Sequence, residues 1–125
     1  MTETSWKQTF GRWGEEQAAN YLEQQGIALC CRNYRCPAGE IDLIGRDAEG
    51  YLFIEVKTRS SSRFGYPEAA VDARKKEHII TAGLHYLQEQ APDPDALWRV
   101  DVVAVVGSPK KQAEVEIVWY QNVLD

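Results

Sequence analysis

The 125-residue chain fits a single domain, residues 1–125, and its composition of 44% hydrophobic and 26% charged residues is typical of a globular protein with a buried core. It has no apolar run of about 18 residues, so the sequence predicts no transmembrane helix and no membrane partner. Its polar first eleven residues predict no secretory signal. A net charge of −5 argues against a protein that coats nucleic acid through overall charge, although a local phosphate-facing patch stays compatible with it.

The cysteines are odd in number and lack C-x-x-C spacing, since they are Cys30, Cys31 and Cys36. Adjacent cysteines do not readily bridge each other, and a zinc site would need more ligands at better spacing. Reduced thiols in a cytoplasmic protein are therefore expected.

The first predicted element is a helix over residues 10–25, because apolar residues recur at helical spacing and Gly26 is a suitable stop. Glu15 lies on or beside the apolar stripe of this helix, which is unusual for a charged residue. It is either a functional carboxylate or an ordinary glutamate that stabilises the helix dipole.

Strands are predicted over residues 27–34, 40–46, 51–58, 98–106 and 114–120, with a tight turn at residues 47–50. Residues 59–66 are small, polar and basic and predict a loop. A second helix is predicted from about Pro67 to Gln90, with a stripe of Ile80, Gly83, Leu84 and Leu87. The order α-β-β-β-α-β-β predicts an α/β fold, a mixed β-sheet flanked by helices.

Acidic residues interrupt the two apolar strands around the 47–50 turn. Alternation places Glu40 and Asp42 on one face of the first strand, and Glu55 with Lys57 on one face of the second. If the strands pair as a hairpin, Asp42 and Glu55 converge, with Lys57 beside them. Ionised groups in apolar strands are usually paired, bound to metal or engaged in chemistry.

This constellation suits phosphodiester hydrolysis with Mg²⁺ or Mn²⁺, because hard cations prefer oxygen ligands. Asp42 and Glu55 would be ligands together with the backbone carbonyl of Val56. Lys57 would orient or deprotonate the attacking water, or neutralise the transition state. A third carboxylate, Glu15 or Glu40, could hold a second ion or a metal-bound water. The alternative is a structural salt-bridge cluster at a sheet edge.

Basic residues follow these strands and could contact phosphate groups, or could simply form solvated surface. The candidates are Arg32, Arg35, Arg59, Arg63, Lys75 and Lys76. Arg99 and Asp101 share a face of the fourth strand and are expected to form a cross-strand ion pair at a sheet margin.

An ordered series of motifs covers most of the chain. It comprises Gly11-x-x-Gly14-Glu15-x-x-Ala18, Arg32-Asn33-Tyr34-Arg35, Gly39-Glu40-Ile41-Asp42-Leu43-Ile44, Phe53-Ile54-Glu55-Val56-Lys57-Thr58-Arg59, Gly65-x-Pro67-x-x-Ala70-Val71 and Arg99-x-Asp101-Val102-Val103. This series resembles the YraN family of predicted endonucleases, within the PD-(D/E)XK or restriction-endonuclease-like superfamily. The layout is also similar to that of archaeal Holliday-junction resolvases.

The resemblance implies a restriction-endonuclease-like fold and a metal-dependent nuclease acting on DNA, including branched or single-stranded forms. It assigns Asp42, Glu55 and Lys57 to the superfamily's catalytic motif and Glu15 to its helix glutamate. Ile41 stands where the superfamily formula has proline. A resolvase-like activity would imply a homodimer, because two symmetric nicks need two sites. The alternative is a nucleic-acid-binding or partner-binding module that keeps this fold without turnover.

Overall fold

A computed structural model of the protein describes residues 3–61, with side chains from residue 6 onward, and residues 69–90, 93 and 95–124. The elements are α1 (Glu3–Gln24), β1 (Ala28–Cys36), β2 (Gly39–Arg46), β3 (Tyr51–Arg59), α2 (Ala73–Gln90), β4 (Trp98–Val106), a short 3₁₀ helix (Pro109–Glu114) and β5 (Glu116–Tyr120). The predicted order of helices and strands is confirmed. No helix within the described part of the chain carries an apolar segment of the kind needed to span a bilayer.

The five strands form one mixed sheet in the order β1-β2-β3-β4-β5. Neighbouring strands are antiparallel except β3 and β4, which are parallel and connected through the segment that contains α2. This crossover is what a parallel pair requires, because a tight turn cannot join parallel strands.

Each face of the sheet has its own apolar cluster, because alternate side chains of a strand point to opposite faces. Phe53 belongs to the cluster under α2, whereas Leu52 and Ile54 belong to the cluster under α1. The predicted alternation along β3 is therefore correct. It assigns Glu55 and Lys57 to the same side of the strand as Phe53.

The predicted stripe of α2 is partly wrong. Gly83 and Leu87 are buried as expected. Ile80, however, is only partly buried, and Leu84 is 47% exposed to solvent. The helix instead buries Ile79, Ala82, Gly83, Tyr86 and Leu87. Apolar residues lie on two neighbouring faces of this helix, so either face could pack against the sheet. The observed orientation about the helix axis is the one that buries the large side chains of Tyr86 and Ile79.

The helix also begins later than expected, at Ala73. Asp72 caps it, since its Oδ1 atom accepts the backbone N–H of Lys75 at 2.9 Å and its carbonyl accepts that of Lys76 at 2.9 Å. Pro67, the expected start, and Arg63 in the preceding loop lie outside the described residues.

The expected ion pair of Arg99 and Asp101 is confirmed, but it is not a cross-strand pair. Both residues lie in β4, and Arg99 Nε donates to Asp101 Oδ1 at 3.0 Å along the same strand. Asp101 is fully buried rather than at an exposed margin. Its other donors come from Trp119 in β5 and from the backbone of Asn122, which fold over it from the C-terminal segment.

Candidate functional site

The backbone pairing of β2 with β3 stops at the carboxylates. The paired register runs from Arg46 opposite Tyr51 to Leu43 opposite Ile54. One step further along this register, Asp42 faces Glu55, but the link there is made by a side chain. Asp42 Oδ2 accepts the backbone N–H of Val56 at 2.8 Å. Replacing the ladder by a side chain brings the two carboxylates together at the place where the strands separate.

Glu55 is the most strongly perturbed carboxylate of this site. Its side chain is only 17% exposed. Burial and, second, the charge of Asp42 raise the pKa of Glu55 to about 7, although Lys75 and Lys57 oppose the shift. Burial also raises the pKa of Asp42, against the opposing effects of the Val56 N–H and of Lys75. Burial and mutual repulsion therefore disfavour simultaneous ionisation of the pair.

Glu15 reaches the same region from α1. The helix can approach β3 closely because Gly14 has no side chain, and a Cβ atom there would lie 2.0 Å from Thr58 Oγ1. Burial raises the pKa of Glu15, the charge of Asp42 raises it further, and a hydrogen bond from the Asn33 side chain opposes the shift. Glu15 is therefore close enough to Asp42 for the charge of one to affect the ionisation of the other.

Two lysines complete the site. Lys57 Nζ donates to the backbone carbonyl of Ala70 at 2.5 Å, in the segment before α2. Lys75 Nζ lies 3.7 Å from Glu55 Oε2. The Asp72 cap fixes the first turn of α2 and so holds Lys75 above β3.

Comparison with known proteins decides the family. The model of the uncharacterised protein family UPF0102 matches residues 14–105, which include Glu15, Asp42, Glu55, Lys57 and Lys75. The chain belongs to the UPF0102 family.

UPF0102 relatives match along nearly their whole length. A protein of Desulfitobacterium hafniense strain Y51 is 34% identical over 117 residues, which are 94% of this chain and 97% of the relative. One from Syntrophotalea carbinolica is 39% identical over 117 residues, 94% of this chain and 92% of the relative. One from Janthinobacterium is 38% identical over 119 residues, 95% of this chain and 89% of the relative. All three are named only as UPF0102 proteins.

In this UPF0102 protein, several predicted phosphate-contacting residues pair with acids of their own chain. Arg32 lies 2.6 Å from Glu16 and 3.7 Å from Glu23, both on α1. Arg35 lies 3.2 Å from Glu40, and both side chains are exposed. This pairing occupies Glu40, the further candidate ligand, at the rim of the site.

The other predicted basic residues lie closer to the ends of β3 and α2. Arg59 is exposed at the end of β3 and donates to the carbonyl of Thr58 at 2.8 Å. Lys76 is partly buried in the first turn of α2, next to Lys75. Of the described basic residues around the site, only Lys57 and Lys75 are close enough to Glu55 to lower its pKa.

Asp42 and Glu55 together offer two carboxylate groups to one divalent cation, rather than a site built from many side-chain ligands. Among the described residues, no three or more His, Cys, Asp and Glu side chains are grouped so that they could hold a metal ion. Burial raises the pKa of both carboxylates although Lys75 is nearby, so a divalent cation would favour their ionised forms, and carboxylate and carbonyl oxygens are the donors that Mg²⁺ and Mn²⁺ prefer. The donor set therefore fits such an ion, with the backbone carbonyl of Val56 as the adjoining oxygen.

A cleft of about 600 Å³ lies around the β2–β3 turn, where Asp47, Glu49 and Leu97 contribute to its wall. This cleft is at the opposite end of the hairpin from Asp42 and Glu55. The size of the cleft is no guide to chemistry here, because the perturbed carboxylates lie elsewhere.

Three features of the site were not predicted from the sequence. The ion pair of Lys75 with Glu55 and the hydrogen bond of Asn33 to Glu15 join distant segments. The third is the contact of Gly14 with Thr58. Asn33 carries one sequence signal, since asparagine is among the few residues that tolerate a positive φ, which is 52° here.

Proposed function

We propose that this protein is a metal-dependent nuclease that hydrolyses DNA phosphodiester bonds, including those of branched or single-stranded DNA. The observation that carries the proposal is the convergence of Asp42 and Glu55 where the β2–β3 ladder ends, with the pKa of Glu55 raised to about 7. The resemblance to the PD-(D/E)XK superfamily, in which an aspartate and an E-x-K motif occupy corresponding places, supports it.

Asp42, Glu55 and the carbonyl of Val56 would hold Mg²⁺ or Mn²⁺, and Glu15 would act through Asp42. Such an ion supplies Lewis-acid stabilisation of the phosphoryl oxygens and lowers the pKa of a coordinated water. Lys57 lies on the same side of β3 as Glu55, where its ammonium can orient a nucleophile or neutralise charge on the phosphate. Lys75 now neutralises Glu55 in part and becomes available to a phosphate when a cation takes that role.

A second candidate function, nucleic-acid or partner binding without turnover, has its own support. Lys75 already pairs with Glu55, and Lys57 already donates to Ala70. These contacts partly satisfy the site without a cation. A chain that retained this arrangement on binding DNA would present a basic surface and no active nucleophile.

The deciding experiment measures cleavage of linear, flapped and four-way DNA, with RNA as a further substrate, in Mg²⁺ and in Mn²⁺. Wild-type protein is compared with Glu55→Gln and Lys57→Ala, and with Glu49→Gln as an exposed acid-to-amide control. The nuclease proposal expects metal-dependent products that Glu49→Gln retains and the two site variants lose. Equal product from all four proteins would overturn it. DNA binding without product under either metal would favour the binding module.

A further inference from the structure

Three aromatic rings stack on one another along the exposed N-terminal half of α1. The rings of Trp6 and Phe10 have centroids 5.5 Å apart and planes inclined by 8°. Those of Phe10 and Trp13 are 5.6 Å apart and inclined by 17°. The three residues, here called the aromatic ladder, are separated by four and three positions, which is the spacing of one helix face.

The ladder is anchored at one end and open at the other. Trp13 is partly buried, packs beside the cluster under α1, and donates from Nε1 to Gln112 at 3.4 Å. Trp6 is 58% exposed even though Phe10 covers one of its faces. An exposed tryptophan held in fixed orientation is a surface suited to a flat partner, and large exposed apolar groups often mark binding sites.

The charges within the ladder segment itself are positive. From Trp6 to Gly14 the sequence has two cations, Lys7 and Arg12, and no acid, within a chain of net charge −5. At 3.6 residues per turn, these two side chains project about 100° and about 120° to either side of the Trp6 direction. Both are exposed. Cations on both flanks of stacked aromatic rings are the elements from which single-strand binding surfaces are built.

The ladder lies on the same helix as Glu15 of the carboxylate site. Trp6 to Trp13 spans about 10 Å along the helix axis at 1.5 Å per residue. Glu15 projects from the opposite side of the helix, about one helix width away. Gly11 lies on the surface between them, and a Cβ added there would meet no heavy atom of the described residues within 4 Å.

We infer that the aromatic ladder binds unpaired bases of a single-stranded polynucleotide whose phosphates contact Lys7 and Arg12. The inference rests on the proposed function for the link to the carboxylate site, and it names the class of substrate: nucleic acid with an unpaired segment. A base stacks on the face of Trp6 that Phe10 does not cover, and because every base has a flat π-face the binding is independent of sequence. Duplex nucleic acid keeps its bases stacked inside and gains nothing from the ladder.

The test measures binding of fluorescent 20-nucleotide oligothymidine, oligouridine and a DNA duplex. All variants carry Glu55→Gln in the full chain, which keeps the probes intact under the proposed mechanism. Trp6→Ala and Phe10→Ala are compared with Trp6→Phe, which retains stacking, and with Leu84→Ala, a matched loss of exposed apolar surface on α2. Circular dichroism establishes that each variant is folded.

The expected result is a loss of roughly tenfold in affinity for single strands with Trp6→Ala and with Phe10→Ala. Trp6→Phe and Leu84→Ala should bind like the parent, and duplex affinity should not change. Lys7→Gln and Arg12→Gln should each reduce the slope of log affinity against log salt by about 0.7, which the aromatic variants leave unchanged. A loss for oligothymidine, oligouridine or both supports the inference and identifies the strand chemistry.

Single-strand affinity that survives both aromatic substitutions would overturn the inference. A second result would also overturn it: light scattering shows that Trp6→Ala converts a dimer to a monomer while affinity for single strands stays at the parental value. The ladder would then bind a second copy of the chain instead of bases. The outcome is separate from that for the nuclease. If the wild-type protein cleaves no DNA while Trp6→Ala still weakens single-strand binding in the Glu55→Gln background, the proposed function is refuted and the ladder's role stands.

Discussion

Asp42 Oδ2 accepts the backbone N–H of Val56 at 2.8 Å, which ties the first carboxylate of the site to the peptide next to the second. The same contact ends the β2–β3 ladder and fixes the distance at which Asp42 and Glu55 repel each other. Structure and electrostatics are therefore coupled at this point: a change in Asp42 alters both the strand junction and the ionisation of Glu55.

Asp42→Asn should lower the pKa of Glu55. The amide oxygen can still accept the Val56 N–H, but the negative charge that raises the pKa is gone. Burial is the larger cause of the shift, so the pKa should fall from about 7 and stay above 4.5. Carbon-13 NMR titration of the glutamate side chains measures it. An unchanged Glu55 titration would contradict the assigned coupling.

The raised pKa of Glu55 also predicts how stability depends on pH. The folded protein holds this proton up to about pH 7 and the unfolded chain only to about 4.5. The stabilisation is therefore fully present below about pH 4.5 and is lost as pH rises through 7. This group alone can account for as much as about 3 kcal/mol. Asp42 and Glu15 contribute in the same direction.

Denaturant unfolding of wild type and Glu55→Gln between pH 4.5 and 8 isolates this contribution as a difference. The variant should gain in relative stability as pH rises. Glu49→Gln, at an exposed turn position, serves as the control and should track wild type. A difference between wild type and Glu55→Gln that does not vary with pH would refute the prediction.

Metal binding should be linked to the same proton. A divalent cation needs ionised Glu55, so apparent affinity for Mn²⁺ should fall about tenfold from pH 8 to pH 6. Calorimetry at both values measures it, with proton release as a second readout near pH 7. Asp42→Asn and Glu55→Gln should each abolish strong binding. Equal Mn²⁺ affinity in these variants and wild type would place any ion elsewhere.

Most of the fold follows from local sequence signals. Alternation identified the strands, and β4 spans the residues that its apolar run predicts. The rotation of α2 was not determined in this way, because apolar residues on two neighbouring faces competed. Tyr86 decides it by packing edge-on against Tyr34 of β1 and Tyr51 of β3, contacts between distant parts of the chain.

The candidate site divides in the same way. Alternation and the E-x-K spacing were enough to nominate Asp42, Glu55 and Lys57, whose placement depends only on the strands. The roles of Lys75 and Asn33 depend on how α2 and β1 dock beside β3 and α1. A sequence pattern identifies charged residues but does not determine which of them meet after docking.

Gly14→Ala should be destabilising, whereas Gly11→Ala should not. A Cβ on Gly14 would lie 2.0 Å from Thr58 Oγ1, whereas one on Gly11 would meet nothing within 4 Å among the described residues. Overpacking predicts a loss of about 1–3 kcal/mol for Gly14→Ala. Helix propensity predicts a gain of about 0.5–1 kcal/mol for Gly11→Ala. Urea unfolding measures both.

Thr58→Ala provides the matching test, because it removes Oγ1 and Cγ2, the two closest atoms. The double variant Gly14→Ala/Thr58→Ala should lose less stability than the sum of the single variants. Additive losses would mean that α1 does not contact β3 at this point and would weaken the placement of Glu15.

Asp101→Ala should be the most destabilising of these substitutions. The carboxylate is fully buried and accepts from Arg99 Nε at 3.0 Å, Trp119 Nε1 at 2.9 Å and the Asn122 N–H at 2.9 Å. Removing it leaves a partly buried guanidinium and two other donors without this acceptor, which costs about 3–5 kcal/mol. Asp101→Asn should lose less, because one side-chain oxygen remains.

Trp119→Phe, which removes one donor and leaves the carboxylate with two, should cost about 1 kcal/mol. Denaturant unfolding ranks the three variants, and an Asp101→Ala protein as stable as Trp119→Phe would show that this buried network does not hold β4 to the C-terminal segment.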